Sequence, residues 1–264
     1  MQPHIGVGVI NPADLGLDRE LWRWVPDSVT LHMTRLPHQP GDIDLTRAGA
    51  LADPAPVAEA TRRLLPPEPA VVAYACSMAS FIGGAAGERA LVNAMLEAGA
   101  PAATTSSGAM VSEFIHHGYQ RVALLTPYGP EIEQRLRSFL AEHEIDVTAS
   151  MSMGLRKRIW TLNHEQVADA ARQIDIRGAD ALYIACTNVT TYDLIKPLQK
   201  ELGLPVLSAN QTTIAAALRL AGVEPSEHTQ LPTPPAVLPL REDEPVSEAP
   251  SFDYPERLAR PESV

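Results

Sequence analysis

The chain has 264 residues, 45% of them hydrophobic and 20% charged, with a formal net charge of -11 and two cysteines. That is enough apolar material for one large core or two small ones, and it excludes disorder of the whole chain. The acidic balance argues against a phosphate-binding surface, which needs clustered Lys and Arg, so nucleic acid is not an expected partner.

The opening MQPHIGVGVI lacks the basic start and apolar core of a signal peptide. No run approaches the ~18 apolar residues of a membrane span. A cytoplasmic protein with no membrane partner is therefore expected. In chain order, the first predicted strand covers 5–10, and the run LDRELWRWVP follows as a helix that Trp22 and Trp24 pack. Further strands fall over 29–33 and 70–75, the latter ending at Cys76. The segment IGGAAGE from Ile82 lacks the Lys and Ser/Thr of a phosphate loop and reads as a turn leading into a helix over 88–97. Strands over 102–104, 121–126, 146–150, 181–185 and 206–208 then alternate with helices over 107–117, 131–143, 165–173, 192–202 and 212–220. Gly99, Gly118, Gly203 and Gly222 stand where left-handed C-caps are expected. Short β-branched runs between amphipathic stretches are the pattern of a parallel sheet covered by helices.

After Val223 the composition changes: residues 224–264 hold nine prolines, nine Asp or Glu and three Arg, without helical or strand period. This reads as a disordered acidic tail, either a solvated extension or a partner-binding segment. The eight histidines show no ligand spacing and neither cysteine has a nearby Cys or His, so no metal site is expected.

An internal repeat organises the rest. VVAYACSMAS around Cys76 and ALYIACTNVT around Cys186 share an apolar strand, Ala-Cys and a hydroxyl residue. Each is followed by a helix, a glycine and a strand opened by proline, in AGAPAATTSS and LGLPVLSANQ. Counting from those prolines places Thr104 opposite Ser208 and Ser106 opposite Asn210. Two similar lobes follow, and a pseudo-twofold between them brings the carboxyl ends of equivalent strands, and both sulfurs, to one cleft.

YACS, LLTPYGPEIEQRLRSFL from Leu124 and ACTNVTTYDLIKPLQKELGLPVLSANQ from Ala185 closely resemble maleate cis-trans isomerases of the aspartate/glutamate racemase superfamily. The likeness spans most of residues 5–222 and is most specific around Cys186. The opening, from Ile10 through Asp14 to LDRELWRWVP, is similar to the ectoine-utilisation protein A branch. The resemblance implies an α/β chain of two flavodoxin-like lobes with parallel sheets, an active site in the inter-lobe cleft, no cofactor, and a small carboxylate substrate. Residues 1–118 plus 209–223 are expected to form the first lobe and 119–208 the second. A homodimer is the usual state of soluble enzymes of this size.

Such chemistry needs groups on opposite faces of a planar centre. In a racemase one thiolate removes a proton α to a carboxylate and the opposite thiol returns one; in an isomerase a thiolate adds to an alkene, the C–C bond rotates and the adduct collapses. Cys76 is the expected nucleophile and Cys186 the acid; the alternative is a non-catalytic ligand-binding relic of the fold, with both cysteines as buried small hydrophobes. A helix N-terminus or a backbone amide nest after each is expected to raise the thiolate fraction. By resemblance Tyr128 is the active-site tyrosine after Thr-Pro. Ser77, Thr187 and Asn188 flank the sulfurs and can donate to an oxyanion, while Ser106 and Asn210, in equivalent places of the two lobes, either bind substrate or serve as ordinary helix N-caps. Arylmalonate decarboxylases, which share this architecture, keep only the second cysteine, so Cys76 counts against a decarboxylase. In the first loop NPADLGLD replaces the Ser-Ser-Asn of maleate isomerases. Asn11 can take the asparagine's role from a shifted position. Asp14 aligns nearest it, and its charge would repel a dicarboxylate and welcome an amino-bearing substrate. Arg156, where a second family asparagine is expected, either binds a carboxylate or belongs to a solvated basic loop.

Overall fold

The computed structural model describes residues 5–224. The segment read as an acidic tail lies, from residue 225 on, outside the described residues. The strands are β1 (Ile5–Asn11), β2 (Val29–Arg35), β3 (Val71–Tyr74), β4 (Ala103–Thr105), β5 (Arg121–Thr126), β6 (Asp146–Ser152), β7 (Ala181–Ile184) and β8 (Val206–Ser208). The α-helices are α1 (Asp18–Arg23), α2 (Leu45–Leu51), α3 (Pro54–Leu64), α4 (Ser77–Phe81), α5 (Gly84–Glu97), α6 (Ser106–His117), α7 (Pro130–Ala141), α8 (His164–Arg172), α9 (Tyr192–Leu202) and α10 (Ala209–Leu220).

All eight expected strands form, and every pairing is parallel. They make two four-stranded sheets, β2-β1-β3-β4 and β6-β5-β7-β8. The same winding thus occurs twice, in the order of a flavodoxin-like sheet. VVAY of β3 and ALYI of β7 are buried at every position. Helices cover both faces of a parallel sheet, so its central strands have no solvent side and their sequences do not alternate.

The helices before Cys76 carry cap signals that periodicity alone does not reveal. Asp44 accepts from the amide of Arg47 to start α2, and Asp53 accepts from Ala55 ahead of Pro54 to start α3. Of the two tryptophans only Trp24, at the C-cap of α1, is buried, with its ring 4.6 Å from that of Tyr192, whereas Trp22 is 44% exposed. Two residues apart on a helix do not share a face, which is why both tryptophans cannot pack as the sequence suggested. Gly118 and Gly203 end α6 and α9 in the left-handed conformation, as expected of them.

The repeat is off by one step from the proline count. Pro205 directly precedes β8, but Ala102 intervenes between Pro101 and β4, so the strand-ending N-caps that correspond are Thr105 and Ser208. Ser107, not Ser106, then stands opposite Asn210.

Helices α6 and α10 follow these caps and pack against each other between the sheets. Phe114 of α6 meets Tyr183 of β7 edge-on at 5.4 Å, while α10 lies on β3 and β4. Each helix therefore leaves one sheet and touches the other. Their contact is locked by Glu113, fully buried, which accepts two hydrogen bonds from Arg219.

Candidate active site

In each sheet the winding reverses between its two central strands, and ligands of open α/β sheets bind at the carboxyl ends there. The segments leaving β1, β3, β5 and β7 meet around one cavity of about 40 Å³. Pro12 and Asp14 come from the first, Cys76, Ser77 and Met78 from the second, Tyr128 from the third, and Cys186, Thr187 and Asn188 from the fourth. Ile43, Arg47, Leu51 and Ile159 complete the wall. A space this small suits a compact ligand.

The two cysteines are free and buried, and their backbones differ. Cys76 is the N-cap of α4 with extended φ of -140°. Its sulfur accepts from the backbone N–H of Ala79 and interacts with the Tyr74 hydroxyl, which itself donates to the Leu51 carbonyl at 2.8 Å. Cys186 has φ of +84°, a left-handed conformation that costs a non-glycine residue roughly 1–3 kcal/mol. That turn lets the backbone N–H of Asn188 reach Cys186 Sγ at 3.4 Å, while Tyr128 offers its hydroxyl to the same sulfur.

Burial dominates these donors. It pushes the Cys76 thiol up to about 11 against the Ala79 amide, which pulls the other way; the Asp14 carboxylate adds to the rise, and Tyr74 and Arg47 oppose it. Cys186 is pushed up to about 12, again mainly by burial, with Tyr128 and Asn188 opposing and the charges of Cys76 and Asp14 adding. The expected activation by a helix N-terminus or amide nest at each sulfur is thus corrected. Only Cys76 precedes a helix directly, since a turn separates Cys186 from α9, and desolvation outweighs the dipoles at both. Both sulfurs rest as thiols.

The other expected residues divide into cavity wall and support. Ser77 bonds Ser106 at 3.0 Å, and Thr187 donates to the Ala75 carbonyl at 3.0 Å, tying the β7 turn to the end of β3. Asn188 accepts from the amide of Gly16 and donates to the carbonyl of Asp14, both at 3.0 Å, so it clamps the β1 loop with its side chain. Asn210 holds the Val189 carbonyl at 3.2 Å and is not part of the wall. Asn11 ends β1 fully buried, with neither side-chain atom partnered, just behind Pro12. Arg156 is 56% exposed on its side chain and paired with Asp42 at 3.0 Å, away from the cavity. The solvated-loop reading of that residue is the one that fits.

Sequence reasoning missed three residues. Arg47 enters the wall from α2 and pairs with Asp14 at 2.7 Å, so Asp14 does not face the cavity as an uncompensated anion. No motif announces it. Thr126 ends β5 as Asn11 ends β1, each before a proline and each buried with an unpartnered side chain. The Asn-Pro and Thr-Pro pairs after the two central strands were a readable signal of that equivalence. Glu20 is buried on α1 and accepts from the amides of Thr191 and Tyr192, both at 2.8 Å, fixing α1 to the start of α9.

Fold and site together define a two-lobed α/β protein with a pair of thiols at the carboxyl ends of its central strands. The arylmalonate decarboxylase family model matches residues 54–231. The chain belongs to this arylmalonate decarboxylase and maleate isomerase family, whose named members here are decarboxylases and isomerases. It is 33% identical over 174 residues to an arylmalonate decarboxylase of Bordetella bronchiseptica, covering 63% of this chain and 71% of that one. It is 30% identical over 162 residues to a maleate isomerase of Alcaligenes faecalis, covering 58% and 64%. Among solved structures, a Cys-to-Ser mutant of the Nocardia farcinica maleate cis-trans isomerase with a covalently bound succinylcysteine intermediate shares the fold. It has a TM-score of 0.73 at 23% identity, over 83% of this chain and 93% of that one. Among the described residues no helix is long and apolar enough to cross a membrane, and no three His, Cys, Asp or Glu cluster in a metal-holding group.

Proposed function

We propose that this protein is a cofactor-independent two-cysteine isomerase acting on a small carboxylate, with cis-trans isomerisation of the maleate type as the leading reaction. The observation that carries the reading is that Cys76 and Cys186, from equivalent strands, line one cavity, each with a tyrosine hydroxyl at its sulfur. Cys76 caps α4, where its sulfur accepts from the Ala79 amide at that helix's N-terminus, which suits the nucleophile. Its thiolate adds to one alkene carbon while the π electrons move onto the neighbouring carboxylate as an enolate. The former double bond rotates, and collapse of the enolate expels the thiolate. Cys186, held protonated by burial, hydrogen-bonds the enolate or gives it a proton, with Tyr128 and the Asn188 amide stabilising the sulfur left behind. The cysteine adduct named for the Nocardia isomerase is the same kind of intermediate.

A second reading is racemisation α to a carboxylate. Both cysteines line one cavity, so once Cys76 has given up its proton its thiolate can remove the α proton while Cys186, still a thiol, supplies the proton that returns. A decarboxylase is disfavoured because Cys76 is present. The resemblance of the opening segment supports a role in ectoine catabolism, and a cytoplasmic homodimer is the proposed working form.

The test is a substrate screen by NMR in deuterated solvent with the full chain, comparing unsaturated diacids, aspartate-like acids and diaminobutyrate derivatives. Fumarate from maleate supports the first reading, and deuterium entering an α-position supports the second. Turnover by a Cys76→Ser, Cys186→Ser double variant equal to that of the wild type would sink both.

A further inference from the structure

The cavity contains an ion pair that neither reading uses. Among the described residues of its wall, Arg47 supplies the one cation and Asp14 the one fixed anion, 2.7 Å apart, with side chains only 10% and 20% exposed. Both are held in place. The amide of Arg47 is bonded by the Asp44 N-cap at 2.9 Å, and its Nη1 donates to the Gly41 carbonyl at 3.3 Å. The Asp14 carbonyl and the Gly16 amide that follows it are clamped by the Asn188 side chain, so Asp14 does not leave with the loop. With Nη2 on Asp14 and Nη1 on Gly41, each terminal nitrogen keeps a second N–H, and Nε is buried without a partner. A buried charged donor left unpaired is costly, and an incoming oxygen anion satisfies it.

We propose that Asp14 and Arg47 act together as a selectivity pair for a ligand carrying one carboxylate and one ammonium, an amino carboxylate in preference to a dicarboxylate. This rests on the racemase branch of the reading above. The carboxylate sits on the Nε edge of Arg47 and the ammonium on Asp14, so the filled cavity stays electrically balanced. A dicarboxylate brings two negative charges to a buried space whose single cation already serves Asp14, and the second charge goes uncompensated. The arrangement also orients the ligand: the pair borders Cys76 from α2 and the β1 loop, and Asn188 of the turn that carries Cys186 is bonded to that same loop, so the carbon between ammonium and carboxylate is presented to the thiols.

Calorimetric titration of the full chain with L-2-aminobutyrate, L-aspartate and maleate reads the selection directly. The wild type is expected to bind 2-aminobutyrate at least about tenfold more tightly than maleate, with aspartate between them. Asp14→Asn is expected to reverse the order of 2-aminobutyrate and maleate. Arg47→Lys keeps the charge but not the Nε edge and should weaken all three about tenfold, while Arg47→Met should weaken them further. The double cysteine variant should keep the wild-type order, so failure of thiol chemistry and failure of charge selection give different results. Maleate bound as tightly as 2-aminobutyrate, no binding of 2-aminobutyrate, or an unchanged order in Asp14→Asn would each overturn the proposal.

Discussion

The two strand ends that carry the cysteines begin alike and finish differently. Tyr-Ala-Cys follows β3 and Ile-Ala-Cys follows β7, yet the first continues straight into a helix with ordinary backbone while the second turns through φ of +84° before α9 begins. The difference shows how a duplicated frame supports unequal tasks. Cys76 is bordered by Arg47, Asp14 and the Ala79 amide, and Cys186 by Tyr128 and the Asn188 amide on a left-handed turn, while burial is the largest influence on both. Identical side chains thus meet different partners at equivalent strand ends.

The sharpest way to break that comparison is to exchange each sulfur for oxygen. Cys76→Ser and Cys186→Ser are each expected to lower turnover by about 10³-fold or more, since each removes a group that acts in the transition state. Only Cys186→Ser should accumulate a covalent adduct on the remaining cysteine, visible as a mass increase on the Cys76 peptide. Equal adducts in both variants would erase the assignment of roles.

The next effect tests whether the two halves share one core. Arg219→Met leaves the carboxylate of Glu113 buried between α6 and α10 without its partner, and should lower stability by about 3 kcal/mol in urea titration. A loss within ~0.5 kcal/mol would mean that the exchanged helices do not tie the sheets together.

Tyr128→Phe removes the hydroxyl at Cys186 and should cost roughly ten- to a hundredfold in turnover, while Tyr74→Phe acts on Cys76 and should instead slow its alkylation. If the two variants behave alike, the division of labour between the dyads is wrong.

The acidities themselves are measurable. Because the thiolate is the reactive form, alkylation by iodoacetamide should rise about tenfold per pH unit and level off near 11 for Cys76, with Cys186 about one unit above. Stability should move the other way. Above the ordinary thiol pKa the unfolded chain releases protons that the fold retains, so stability falls as pH rises from about 9 towards 11, by on the order of a few kcal/mol. The smallest effect concerns backbone alone: Cys186→Gly should relieve the left-handed strain and stabilise by about 1 kcal/mol relative to Cys186→Ala, whereas the same comparison at Cys76 should favour alanine. Melting temperatures of the four variants settle the signs.

By itself the sequence determined the eight strands, seven of the helices, the duplicated winding and the two sulfurs at equivalent strand ends. These follow from local signals: apolar runs too short for helices, glycines past helix ends, and a repeated Ala-Cys. The tertiary structure alone decided what surrounds those sulfurs. Arg47 reaches Asp14 across 33 positions of chain, Asn188 reaches Asp14 and Gly16 across more than 170, and Glu113 meets Arg219 across 106. Burial, which sets the acidity of both thiols, is a property of the packed lobes and not of any neighbour in sequence. Charge pairing and desolvation act through space, and a linear pattern records only what lies within a turn or two of chain.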